Sequence, residues 1–274
     1  MRKLRTYIII LLVLQAAAAA AGSLRNVMPP YLRGFQETVQ RQAEKYPEYF
    51  HLSGGAAEKK IALTFDDGPH KSNTPLILDI LKSRDIKATF FVLGENVKKH
   101  PEIIHRINEA GHQIGNHSKT HSDLRNLTNE EILKTELDPT SHLIEAITGT
   151  YPKFMRPPYG ALRDESIEFL GELGWQIINW SIDSFDWDQA ENEAEEILSK
   201  IEEYHHPGAI ILLHCSGPNT ALALPKIISL LETQDYDFVT VEELLKPKDK
   251  NTAFFKQLPK VKELLRFFPT KLSR

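Results

Sequence analysis

Cysteine is almost missing: the 274 residues include one, Cys215. A single thiol excludes any internal disulfide, so an exported chain of this kind must draw its stability from its core. A surplus of positive charge is missing too. Lys and Arg number 33 against 37 Asp and Glu, a formal net charge of −4, which argues against nucleic acid as the main partner. Long apolar runs are also scarce. Tyr7 to Leu14 opens the chain with about eight apolar residues, against the ~20 that span a bilayer.

That short run has a processing context. Arg2, Lys3 and Arg5 precede it, and Ala16 to Ala21 follow it with several A-x-A cleavage options. Together they read as a signal peptide over 1–21. Counting the alanines, the run reaches about fifteen residues, which keeps an uncleaved anchor as the alternative. No cysteine follows the run, which argues against a lipoprotein. Removal of the signal takes three cations with it and moves the net charge from −4 to about −7. About 250 residues remain, enough for one large domain.

Residues 22–57 form an N-terminal segment ending in Ser53-Gly54-Gly55, a linker signal. A regular pattern then occupies 58–247. Apolar strand-like runs at 61–65, 88–93, 112–116, 153–156, 175–180, 209–214 and 237–240 alternate with helical spacing. Pro75 and Pro101 sit near helix starts, Gly111 at a helix end. Thr128 and Glu131 have capping-box spacing, and Pro139 is placed to kink the helix they open. Seven strand-then-helix units imply parallel strands with right-handed crossovers, closed as a barrel or barrel-like sheet. Sites in such folds sit at the carboxyl ends of strands.

Polar clusters stand at five of those ends. TFDDGP (64–69) puts Asp66 and Asp67 side by side. Adjacent side chains on a strand point to opposite faces, so both can serve one site only if the strand stops there and the chain turns. NHSKTH (116–121) sets His117 and His121 four apart, a spacing that suits a divalent metal. FMRPPYG (154–160) ends a strand at Arg156, and Pro157 and Pro158 stiffen the loop and leave the Tyr159 N–H as an isolated donor. WSIDSFDW (180–187) carries Asp183 and Asp186, one of which competes for a helix N-cap. ILLHCS (211–216) ends a strand at His214. Singly, these are a turn, a solvated histidine pair, a rigid loop, a helix cap and a structural histidine. Five together at five strand ends point to a catalytic site.

TFDDGP, HSKTH, RPPYG, DSFDW and the LLH of ILLHC resemble, in order and spacing, the five motifs of the NodB-homology polysaccharide deacetylases, carbohydrate esterase family 4. The resemblance covers roughly 58–247. It implies a distorted (β/α)7 barrel and a metal-dependent enzyme that removes acetyl groups from N- or O-acetylated sugars. HPGAIILLH and ALPKII are similar to the bacterial cell-wall members. The implied ligands are Asp67, His117 and His121, around one divalent ion, zinc in the first instance, with Co or other ions accepted by the same set. The implied base is Asp66, the acid His214, the oxyanion donor the Tyr159 N–H. Arg156 would then hold Asp66 ionised, and Asp186 would keep His214 cationic, an opposite pair of shifts. Trp187 and Leu212, with Pro157 and Pro158, would form the acetyl pocket.

Many members carry Asp after the last histidine, where this chain has Cys215. On a strand, residue 215 faces away from 214, so packing rather than a Cys-His nucleophile is the expected role. The expected substrate is an acetylated polysaccharide, foremost peptidoglycan amino sugars, with chitooligosaccharides, acetylxylan or a non-catalytic glycan-binding role as alternatives. The expected enzyme is a monomer, secreted or held in the cell envelope. The tail 248–274 reads first as a C-terminal amphipathic helix packed on the barrel, with a wall or membrane contact as the sharper alternative, against which Pro259 and Pro269 count. In it Phe254, Leu258, Val261, Leu265 and Phe268 recur at helical spacing among Lys256, Lys260, Lys262, Arg266, Lys271 and Arg274.

Overall fold

The computed structural model of the chain describes residues 30–188, 193–217 and 219–246. The signal segment 1–21 and the tail 248–274 lie outside the described residues. No helix among those described is long and apolar enough to cross a membrane.

A parallel sheet forms the centre. In chain order its strands are β1 (Phe50–His51), β2 (Lys60–Gly68), β3 (Thr89–Val92), β4 (Gln113–Asn116), β5 (Phe154–Met155), β6 (Gln176–Ile178), β7 (Ile182–Asp183), β8 (Ile210–His214) and β9 (Asp237–Phe238). They lie in the order β1-β6-β5-β4-β3-β2-β8-β7, and β9 pairs with the start of β2. The helices are α1 (Pro30–Lys45), α2 (Asn73–Ser83), α3 (Gly94–Lys99), α4 (Pro101–Glu109), α5 (Asn129–Glu131), α6 (Asp138–Thr148), α7 (Asp164–Glu172), α8 (Ala194–Tyr204), α9 (Thr220–Thr233) and α10 (Val241–Leu245).

Apolar runs make these strands because both faces are covered. On β2, Ile61, Leu63 and Phe65 join the outer core, where Ile77, Leu78 and Leu81 of α2 and Leu224, Ile227 and Ile228 of α9 meet them. The alternate residue Ala62 joins a smaller inner cluster with Phe91, Ile178, Ile210 and Val239. The inner face is therefore narrow below and polar above, where Thr64 and Asp66 continue the same row.

The barrel fold expected from the sequence is present, with its strands redistributed. Of the expected run 175–180, only Gln176–Ile178 is strand. β6 stops at Ile178 and pairs towards β1, while β7 begins at Ile182 and pairs with β8 on the far side. The seam of the barrel lies between them. Below, residues 50–54 cross it: Phe50 pairs with Ile177, Ser53 bridges Ala209, and the Gly54 N–H donates to the Gly208 carbonyl at 2.8 Å. The segment 30–57 thus supplies α1, β1 and this crossing strap. The capping box of Thr128 and Glu131 is present. The helix that follows passes through a π-helical turn, Ile132–Leu137, and Pro139 falls in the first turn of α6.

Candidate active site

The two aspartates meet at one site, but not by the strand stopping. β2 runs on to Gly68, and its register against β3 slips between Phe65 and Gly68. Asp67 takes φ 64 at that bulge. One left-handed residue overturns the alternation, so Asp67 turns to the same side as Asp66.

Asp67, His117 and His121 come together with their ligand atoms all within 4.8 Å of one another. Asp67 Oδ1 is 3.5 Å from His117 Nε2 and 3.6 Å from His121 Nε2. Three features fit a cation. Asp67 Oδ1 is buried with no hydrogen-bond partner, which is costly for a carboxylate oxygen left without a counter-charge. His117 Nδ1 donates to the Arg156 carbonyl at 2.7 Å, which leaves the Nε2 lone pair facing the cluster. Burial, only partly offset by Asp67, lowers the His117 pKa to about 3, so the ring is neutral. Two imidazoles and one carboxylate match a catalytic zinc set with positions left open.

Asp66 stands beside this cluster. Its Oδ2 lies 3.7 Å from His117 Nε2, and its Oδ1 accepts from Arg156 Nη1 at 2.8 Å. Arg156 is wholly buried and fixed on every side. It donates to the carbonyls of Ile178 (3.0 Å) and Asn179 (3.1 Å) and to the Thr64 hydroxyl (2.8 Å), and its guanidinium lies 4.4 Å from the centre of the Phe91 ring. The expected opposite shifts are not found. Burial raises the Asp66 pKa and outweighs the Arg156 charge that opposes it. The carboxylate is the stronger base for it.

His214 ends β8 opposite Asp66 in register. Its Nδ1 and its backbone N–H both donate to Asp186, each at 2.7 Å. Burial alone would lower its pKa, but Asp186, with Asp66 and Asp67 adding, raises it to about 9. Asp186 therefore holds His214, and the next helix among the described residues, α8, begins at Ala194 with Glu193 as its cap. Cys215 packs in the outer core, faces away from the site and has its pKa pushed up by burial.

Tyr159 sits at φ 60 at the tip of the turn that the Gly160 N–H closes on the Pro157 carbonyl at 2.9 Å. Its ring meets His121 edge-on at 4.7 Å, and Pro157 and Pro158 beneath it are buried. Leu212 is nearly buried two residues before His214, and Trp187 is 48% exposed with its indole donating to Asp183 Oδ1 at 3.2 Å.

Sequence reasoning missed the supports. Thr220 donates to Asp186 Oδ2 at 2.5 Å. Asn116 bridges the Ser118 N–H, the Leu137 carbonyl and Ser141. Glu136 binds the loop between the histidines. One signal was available for Glu136: it shares the buried stripe of Ile132, Leu137 and Thr140, where an acidic residue is out of place.

Parallel strands carry at their carboxyl ends a His₂-Asp cluster that could hold a metal ion, a buried carboxylate and a histidine-aspartate pair, a set of groups suited to hydrolysis. The description "Polysaccharide deacetylase" fits a family model that matches residues 53–178. A peptidoglycan-N-acetylglucosamine deacetylase of Bacillus cereus is 40% identical over 206 residues, 73% of this chain and 73% of that protein. PgdA of Listeria monocytogenes, a deacetylase of the same description, is 41% identical over 68% of this chain, which spans only 39% of it. The structure of Bacillus subtilis PdaA, a family 4 carbohydrate esterase, superposes with a TM-score of 0.69 at 35% identity, over 76% of this chain and 88% of that one. The chain belongs to the polysaccharide deacetylase family, carbohydrate esterase family 4.

Proposed function

We propose that the protein is a metal-dependent deacetylase that hydrolyses the N-acetyl groups of peptidoglycan amino sugars outside the cytoplasm. The observation that carries this reading is the convergence of Asp67, His117 and His121 beside the Arg156-paired Asp66. The names of the relatives support peptidoglycan as the glycan.

A divalent ion held by Asp67, His117 and His121, zinc in the first instance, would supply a Lewis acid for the acetyl carbonyl and lower the pKa of a water it holds. The protein's own groups do the rest. Asp66, with one oxygen tied to Arg156, keeps the other for the proton of the attacking water. The Tyr159 N–H, on its rigid turn, donates to the oxyanion. His214 carries its proton on Nε2 towards the departing amine, because Nδ1 is committed to Asp186. Leu212 and Trp187 wall the methyl group, a space that favours acetyl over longer acyl chains. Export by the N-terminal segment and a wall or membrane contact through the basic tail go with this reading.

The test is acetate release from purified peptidoglycan, chitin oligomers and acetylxylan, with and without chelator. Release from peptidoglycan that stops with chelator and returns with zinc is the expected result. Release that persists after complete metal removal, or occurs only from acetylxylan, overturns it.

A further inference from the structure

The mechanism leaves the buried carboxylate of Glu136 unused. Glu136 is 6% exposed and sits in the π-helical turn Ile132–Leu137. Its Oε2 accepts from the backbone N–H groups of Lys119 (2.8 Å) and Thr120 (3.0 Å), and its Oε1 accepts from the Thr120 hydroxyl at 2.9 Å. These two residues lie in the loop between His117 and His121. The same loop is gripped from the other side. The Gly94 and Glu95 N–H groups at the start of α3 donate to the Ser118 and Lys119 carbonyls at 3.0 and 3.1 Å. A Cβ on Gly94 would lie 2.4 Å from Thr140 Oγ1, so only glycine lets α3 come this close.

The loop needs such a grip. Ser118 and His121 hold φ 70 and φ 59, conformations that side chains other than glycine adopt only when their surroundings impose them. A carboxylate offers what the loop lacks: one oxygen for two adjacent amides and a second for a hydroxyl. The π-helical turn carries Glu136 into position from the flank of the barrel.

We propose that Glu136 is a positioning residue for the metal site: it fixes the 118–120 backbone so that His121 already faces Asp67 and His117 before an ion arrives. The inference rests on the metal reading above. It assigns Glu136 no contact with substrate or metal. Glutamine can repeat the pattern, with Oε1 accepting both amides and the side-chain NH₂ donating to Thr120. Alanine cannot, and it leaves the Lys119 and Thr120 amides without their shared acceptor.

The experiment titrates zinc into the metal-free protein against a competing chelator and follows amide exchange at Lys119 and Thr120. Glu136→Ala is expected to weaken zinc binding at least ~10-fold, the low end for loss of an outer-shell support, and to speed exchange at both amides. Glu136→Gln should stay within about threefold of wild type, well inside that range. Leu137→Ala, a cavity at the next buried position, controls for general loosening and should lower stability while it keeps zinc affinity. A folded Glu136→Ala protein with wild-type affinity overturns the proposal, as does an equal loss of zinc in Leu137→Ala. Where Glu136→Ala does not fold, Glu136→Asp, a carboxylate one methylene short, is read the same way. A wild-type protein that binds neither zinc nor cobalt would instead bring down the metal assignment itself.

Discussion

Asp66 and Asp67 are neighbours with separate partners because the backbone turns over between them. Asp66 stays on the inner row of β2, where Arg156 takes one of its oxygens; Asp67 leaves the row at φ 64 and faces the histidines. Asp66→Asn should therefore retain stoichiometric zinc and lose at least the ~10²-fold activity typical of a general base. Retained metal with retained activity would remove Asp66 from the reaction. The acid is tested by pH. A group whose folded pKa is raised keeps its proton to higher pH, so His214 should remain a competent acid until pH approaches its value of about 9. The alkaline limb of kcat should lie there. Asp186→Asn removes the carboxylate that outweighs burial, so the limb should move down in pH and kcat should fall. A limb that stays in place would mean that another group sets it. The same sign governs stability: the His214–Asp186 contribution is complete below the unfolded pKa near 6.5 and is lost as pH rises through about 9.

At the scale of elements, each catalytic loop leans on a neighbour remote in sequence. The Tyr159 turn leans on α1. The space over Gly160 is closed by Phe35 and Trp180, each of which would lie 2.8 Å from a Cβ there. Four residues on, Asp164 accepts from Arg41 at 2.7 and 2.8 Å and from Lys45 at 2.9 Å, and the Leu162 carbonyl accepts from Gln42 at 2.9 Å. Phe35→Ala should lower kcat by several-fold through a loosened Tyr159 N–H, a fraction of the ~10²-fold that loss of such a donor costs, and leave zinc affinity unchanged. A change in zinc affinity instead would show that α1 acts through His121. These supports explain what was legible in the sequence. Strands β2 and β8 declared themselves by continuous apolar runs, and the five polar clusters fell at strand ends because chemistry-bearing residues interrupt those runs. The bulge at Asp67 was hidden, since TFDDG carries no residue that forces a positive φ at 67. The end of β6 at Ile178, before the run 175–180 is complete, was hidden for another reason. Asn179, Trp180 and Ser181 suit a strand well enough, and what parts them is pairing: the Asn179 N–H goes to His51 and the Ser181 N–H to Ile210, on opposite sides of the seam. Glu136 and Thr220 were out of reach because their partners are loop amides and a carboxylate placed by tertiary contact.

The whole molecule closes through the segment that precedes the matched family region. The family match begins at residue 53, yet α1 and β1 lie before it and cover one flank of the barrel. Val39, Tyr46 and Phe50 are 7%, 8% and 1% exposed and pack with Trp175, Leu170 and Ile167 of the α7–β6 unit. Below, Gly54 fits under Leu244 so closely that a Cβ would lie 2.6 Å from that side chain. Each buried side chain of this size is worth ~1.5–3 kcal/mol, so loss of the three removes on the order of 5–9 kcal/mol before any cavity is counted. A domain of ordinary stability has about 5–15 kcal/mol in all. A truncated chain that starts at residue 58 should therefore melt far below a chain that starts at residue 24, or fail to fold cooperatively, and should lose activity with its fold. Thermal melts of the two forms, followed by circular dichroism, decide the matter. If the shorter form melts cooperatively within a few degrees of the longer one, the barrel closes without its N-terminal strap. In that case α1 and β1 are a covering laid over an independent domain, and the dependence of the Tyr159 turn on Phe35 would have to be abandoned with them.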